Sequence, residues 1–326
     1  MKAVLVLLRW IGCVLACLLG FVVVSLSLAA WAPFPNVPIV GEKLEYFREH
    51  RGDFDTVFVG SSRVHSQIIP AVFDKVAGTH SFNLGVPGMM PPESLYVARC
   101  VLAVHPPRLK RMFIELTDLI TIVDSRNATS ARGAYWHDAR HTWMACRDLW
   151  ESTRPAMQKL MHTGEHFWLF VEQLANIGRG APLLAAAFTS RPRKEKGPRV
   201  TDDAGFLPVT TTLSAPQLRR IQQSAEELRS RDWPEIPLRP ALRDGLRDLI
   251  GDLRRAGIEP VFFIAPSFNW RDRLAGPEGV RLLAFRDEVR FPGLFDPKNY
   301  GDTVHLNAHG AALFSTALAE ESTAAK

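Results

Sequence analysis

Two short stretches carry residue types that could do nucleophilic chemistry. Gly60-Ser61-Ser62-Arg63 directly follows the run Thr56-Val-Phe-Val59, and Asp302-Thr-Val-His305 lies near the C-terminus. A glycine at a sharp strand-to-helix turn lets a following serine project at the strand end, its backbone N–H facing a developing oxyanion. An aspartate three residues before a histidine can accept the imidazole Nδ1–H and leave Nε2 to take a proton from a serine. Together the two stretches would supply a nucleophile, a base and an orienting carboxylate. Singly, the serine is an ordinary helix cap and the Asp-x-x-His a solvated turn.

For the stretches to meet, both must lie at the same edge of a sheet. Short β-runs are predicted over Asp55–Val59, His80–Leu84, Arg111–Leu116 and Pro260–Ala265, alternating with amphipathic helices. That is the pattern of a parallel sheet flanked by helices. Before the fourth run, Leu242, Leu246, Leu249, Ile250 and Leu253 recur at helical spacing, and Gly257 ends the helix. The fold class is therefore α/β: three layers, α/β/α, around a mainly parallel sheet of about five strands. In such sheets ligands bind beyond the carboxyl ends of the strands.

About 140 residues separate the third and fourth runs, far more than one crossover needs. Residues from about 123 to 237 form an insertion, expected to cap the strand ends rather than to fold alone. It holds the aromatic cluster Tyr135-Trp-His-Asp138, a helix expected over Ala215–Arg229, and the basic run Arg191, Arg193, Lys194, Lys196 and Arg199. The cluster could form a sugar-facing wall or simply pack.

From Trp10 to Ala32 the chain carries no charge and is almost wholly apolar, with Lys2 and Arg9 ahead of it. This length suits a membrane-spanning helix with a cytoplasmic N-terminus. Residues 1–35 are expected to be a membrane anchor and 36–326 a domain on the extracytoplasmic, periplasmic side. A cleaved signal peptide near Ala30, or a lipoprotein signal ending at Cys17, would deliver the domain to the same side.

The net charge of +5 concentrates in the basic run and reads as a local loop rather than a basic protein. No zinc-finger spacing, aromatic RNA-binding signature or long basic helix points to nucleic acid. His305 and His309 stand four apart, but no glutamate follows the first and no third ligand is evident, so no metal is expected. An oxidising compartment would permit one bridge, between Cys100 and Cys146.

Taken with their order along the chain, these elements resemble the SGNH, or GDSL-type, hydrolase superfamily. Gly60-Ser61-Ser62 is similar to its first block with Ser61 in place of the usual aspartate, which points to Ser62 as nucleophile. Asn83-Leu-Gly85-Val-Pro-Gly88 matches the second, N-x-G-x-x-G, and the resemblance assigns an oxyanion-hole N–H to Gly88. Asp302 and His305 fill the last block. The resemblance covers most of residues 54 to 315 apart from the insertion, and it implies substrate contacts from Arg63 and Asn83. At the third block the usual asparagine is missing and the chain reads Glu115-Leu-Thr-Asp118. The oxyanion hole is then expected to use the Thr117 hydroxyl, or only the N–H groups of Ser62 and Gly88.

This departure, the Gly-Ser-Ser start and the anchor are more similar to the cell-envelope branch, which includes teichoic-acid D-alanylation and alginate O-acetylation proteins. The resemblance implies a serine acyltransferase or esterase acting on an O-acyl group of a cell-envelope glycan. Its partners would be an acyl donor, the glycan acceptor, membrane lipid around the N-terminal helix and a membrane-bound O-acyltransferase; no cofactor is implied. The alternative is a catalytically weak module that binds polysaccharide or scaffolds an acyltransferase complex.

Overall fold

Five strands, covered by helices on both sides, form one fully parallel sheet in the order β2-β1-β3-β4-β5: β1 Thr56–Gly60, β2 Ser81–Gly85, β3 Arg111–Glu115, β4 Glu259–Ile264 and β5 Leu282–Ala284. The structure is a computed structural model that describes residues 2–31, 37–120, 122, 131–176, 200–230, 232–269 and 272–324. Strands β1 and β2 are buried at every residue, as expected where helices cover both faces of a parallel sheet. Side chains alternate between two cores: Val57 and Val59 join one, Phe58 the other. The first core is closed by α2 (Val40–Glu49), α5 (Glu93–Ala103) and α10 (Pro240–Arg255). The second lies under α4 (Pro70–Ala77) and α11 (Ala308–Thr323).

From β1 the chain pairs β2 on one side and β3 on the other. That reversal opens a crevice at the carboxyl ends of β1 and β3, where ligands of open α/β sheets sit. The register sets Gly60 beside Gly85. The short helix α3 (Ser62–Gln67) starts almost at once and crosses directly over the end of β2. A Cβ on Gly85 would lie 2.2 Å from the backbone nitrogen of His65, so only glycine admits this crossing.

The insertion divides its work. Its helices α6 (Ala131–Ala134), α7 (Ala139–Glu151) and α8 (Ala156–Leu174) pack on one another, and α7 lies against α10. Met144 of α7 fills the space left by Gly245 of α10, where a Cβ would lie 2.0 Å from the methionine Cε. Arg147 pairs with Asp244 and Arg239 with Asp148, at 2.7 and 2.6 Å. Helix α9 (Ala215–Arg229), begun by a Ser214/Gln217 capping box, lines the cavity at the strand ends, and the stretch before it reaches α3 and the histidine turn through Leu207 N to His65 O and Thr211 Oγ1 to Gly301 O. The basic run 191–199 is outside the described residues. Cys100 and Cys146 are free thiols, and burial pushes the Cys100 thiol up to about 12.

The N-terminal segment is one helix, α1 (Lys2–Trp31). Among the described residues no helix is long and apolar enough to cross a membrane. Described side chains of α1 run unbroken only from Arg9 to Ser25, so the anchor expected over 1–35 lies partly outside the described residues.

Candidate active site

Ser62 is the first residue of α3, and the turn that presents it is held from below. Ser61 caps the helix by accepting the Arg63 N–H at 3.2 Å. The N–H of Ser61 itself donates to Glu115 Oε2 at 2.7 Å. At this first helical position the Ser62 N–H has no intrahelical acceptor, which leaves it for a ligand.

Ser62 Oγ lies 2.7 Å from His305 Nε2, and His305 Nδ1 lies 2.8 Å from Asp302 Oδ2. A carboxylate can only accept, so the imidazole proton sits on Nδ1 and Nε2 is free to take the serine proton. The other Asp302 oxygen accepts the N–H groups of Val304 and His305, both at 2.8 Å. Burial alone would raise the Asp302 carboxyl, but the His305 ring and those N–H groups hold it below the usual aspartate value. Asn307, capping α11 through the Gly310 N–H, fixes where the histidine turn ends.

These groups open onto a cavity of about 610 Å³. Ser62 and Gly88 face it from the strand ends, Arg220, Ser224 and Glu227 from α9, and Asn269 and Asp272 from the loop after β4. Gly88 occupies a turn at φ +72°, a conformation natural to glycine. Arg132 donates to the Pro87 carbonyl at 2.6 Å and leans on Glu93, which in turn accepts the Tyr135 hydroxyl. The Tyr135–Asp138 cluster thus packs behind the Gly88 turn: Tyr135 and His137 are buried and Trp136 stacks on His137.

The remaining sequence-derived residues sit elsewhere. Arg63 lines the cavity, but its Nε donates to Glu115 and its Nη1 to Asp272, each at 2.7 Å, so it ties strand end to loop. Burial would lower this guanidinium, yet the two carboxylates hold it above its ordinary value. Asn83 does not reach the cavity. It is fully buried, with its amide donating to the carbonyls of Val64 and Ile68 and its oxygen accepting the Gly85 N–H. Its place is beneath α3, steadying that helix rather than touching substrate. Thr117 is buried past β3 and is not among the cavity-lining residues, whereas Ser62 and Gly88, on which the other expected arrangement relies, both are.

Sequence reasoning missed several contributors. In the sequence Glu115 stands out only as the start of the Glu115-Leu-Thr-Asp118 stretch that lacks the usual asparagine; here it is the acceptor that fixes Ser61 and Arg63. Lys43 on α2 is fully buried and spends its three N–H donors on Gly85 O, Gly205 O and His65 Nδ1, at 2.7, 2.6 and 2.9 Å. Burial pulls its ammonium well below the usual lysine value. Its one available signal is a lysine on the apolar face of an amphipathic helix, two residues from Gly41 and next to Leu44. No family model matches this chain, and no curated protein of similar sequence matches it either.

Proposed function

We propose that this protein is an SGNH-type serine acyltransferase or esterase, anchored by α1 with its domain outside the cytoplasmic membrane, acting on O-acyl groups of a cell-envelope glycan. The observation that carries the chemistry is the chain Ser62 Oγ, His305 Nε2, His305 Nδ1, Asp302 Oδ2, with links of 2.7 and 2.8 Å at the mouth of a cavity. In the first step His305 takes the Ser62 proton as Oγ attacks an ester or thioester carbonyl, and Asp302 stabilises the imidazolium. The oxyanion rests on the N–H groups of Ser62 and Gly88. The C–O or C–S bond then breaks, His305 returns the proton to the leaving group, and the acyl group stays on Ser62. A sugar hydroxyl or water, deprotonated by the same histidine, releases it.

Polar side chains in the cavity wall would suit a hydroxyl-rich acceptor: Arg220, Ser224, Glu227, Asn269 and Asp272 line it beside the apolar Met90, Ile120, Ile221 and Phe268. The anchor reading draws on the exposed surface of α1, where Trp10, Leu15, Leu18, Leu19 and Val24 are all more than half exposed without a polar residue between Trp10 and Val24 other than Cys13 and Cys17.

The test is turnover of an activated acetyl ester by the full chain, in buffer and then with an oligosaccharide acceptor. Wild type is expected to show an acyl burst that Ser62→Ala lacks, and transfer to the acceptor marks a transferase, release to water an esterase. Equal turnover by wild type and Ser62→Ala would sink the assignment of the nucleophile.

A further inference from the structure

Helix α8 is amphipathic the wrong way round for a helix in water. Of its 19 residues only His166 and Leu169 are buried, while Leu160, Met161, Phe167 and Trp168 are each more than half exposed. Its neighbour α7 adds Trp143 at 70% and Trp150 at 53% exposure. Between the two helices runs a groove of about 620 Å³ with an almost wholly apolar lining that includes Trp143, Trp150, Phe167 and Phe170. Single exposed apolar residues are ordinary, but a contiguous face of this kind marks a surface that meets something other than water.

What it meets follows from its neighbour. Asn176, just past the end of α8, donates to Ser25 O and to Ser25 Oγ on α1, at 3.0 and 2.6 Å. The end of α8 is thus tied to α1, whose own surface from Trp10 to Val24 is exposed and apolar. The composition of the hairpin is that of an interfacial helix: tryptophans beside leucine, methionine and phenylalanine, with Arg154 just before α8 and Lys159 in its first turn. Two of the indole N–H groups are already satisfied within the hairpin, Trp150 by Thr163 and Trp168 by Glu172.

We propose that α7 and α8 lie in the interfacial layer of the phospholipid bilayer beside α1, their exposed side chains among the acyl chains and the groove between them holding a lipid chain. This rests on the reading of α1 as the anchor. The bilayer then grips the domain at two points, which fixes the orientation of the cavity relative to the membrane, whereas a single helix would leave it free to swing.

The experiment uses the full chain in vesicles of phosphatidylethanolamine and phosphatidylglycerol. A nitroxide is placed at Met161→Cys, with the four native cysteines replaced by alanine, and a second at Val289→Cys, 88% exposed, serves as the aqueous control. The label at 161 is expected to favour oxygen over an aqueous nickel chelate by about fivefold more than the label at 289. Nickel access at 161 equal to that at 289 overturns the proposal, and so does exclusion of both reagents, which would mean that another protein, a second copy or another segment of this chain covers the face. An alkaline carbonate wash separates the two readings. Retention with an aqueous label at 161 keeps the anchor and rejects the interfacial hairpin; release with a lipid-facing label at neutral pH does the reverse. Should the cysteine-free chain not fold, brominated-lipid quenching of the native tryptophans serves instead. The variant Trp143→Phe/Trp150→Phe/Trp168→Phe is expected to lose about half of that quenching, and unchanged quenching would reject the proposal.

Discussion

The strand-end crevice and the α7–α8 hairpin treat their exposed groups in opposite ways. In the crevice the polar groups that flank Ser62 are paired by geometry: Asp302 with His305, Glu115 with Ser61 and Arg63, Asp272 with Arg63 again. On the hairpin the outward groups are large, apolar and unmatched to water. The first region is preorganised, so chemistry there needs no rearrangement of the protein dipoles. The second would be completed by another medium. On the proposed reading one surface is finished by a substrate, the other by a lipid solvent, and substitutions should sort them.

The largest effect is expected at Asp302. Replacing it by asparagine keeps the shape but lets the imidazole take the wrong tautomer, so kcat should fall by about 10⁴ while KM changes little. A loss of less than about tenfold would mean that Asp302 merely caps the histidine turn. Next comes the buried network. Arg63→Ala removes the partner of Glu115, a carboxylate with 2% exposure, and should cost about 3–5 kcal/mol of stability in urea denaturation, as the loss of one member of a buried ion pair does. A change below about 1 kcal/mol would place the network among the pairs that contribute little.

Acidity gives a smaller, graded effect. Burial, reinforced by Lys43 for His65 and by His166 for His137, holds both histidines down to about 3, against 6.5 for an ordinary histidine. Below 6.5 the unfolded chain binds two protons that the native protein refuses, so stability should fall as the pH drops from 6.5 toward 3. The slope is up to about 1.4 kcal/mol per pH unit for each histidine. Asp302 works in the same sense lower down: its contribution is whole above the ordinary aspartate value and is lost as pH falls through its lowered native value. Urea midpoints that are equal at pH 7 and pH 5 would contradict this. The smallest effect belongs to the hairpin. In detergent, Met161→Ser should shift the unfolding free energy by less than about 0.5 kcal/mol, the usual range for surface positions. A loss above about 2 kcal/mol would show that Met161 packs inside the protein and would erase the contrast.

Much of the sheet was legible because its strands are short apolar runs punctuated by glycine. The runs expected at Asp55–Val59, His80–Leu84, Arg111–Leu116 and Pro260–Ala265 fall within one residue of β1 to β4 at each end. Strand β5 was not legible: three residues, Leu282–Ala284, give no periodicity to read. Strand order was equally hidden, since it depends on which helices cross which face. Ser62, Asp302 and His305 were visible as residue types because each sits at a local turn with its own signature. Asp272, Arg220 and Glu227 were not, because they reach the cavity from segments whose local pattern is only loop or helix. Asn83 illustrates the opposite error. In a strand covered on both faces a polar side chain has no water to turn to, and its amide must be spent on nearby backbone. The insertion also split in a way that its length alone does not reveal, with α9 over the cavity and α7 held against α10 by Met144.

The most direct test of the account is covalent labelling of the full chain by a fluorophosphonate, followed by peptide mapping. The adduct is expected on Ser62, abolished in Ser62→Ala and slowed by at least about 10³ in His305→Ala. Labelling at Ser61 or elsewhere, or at an undiminished rate without His305, would contradict it.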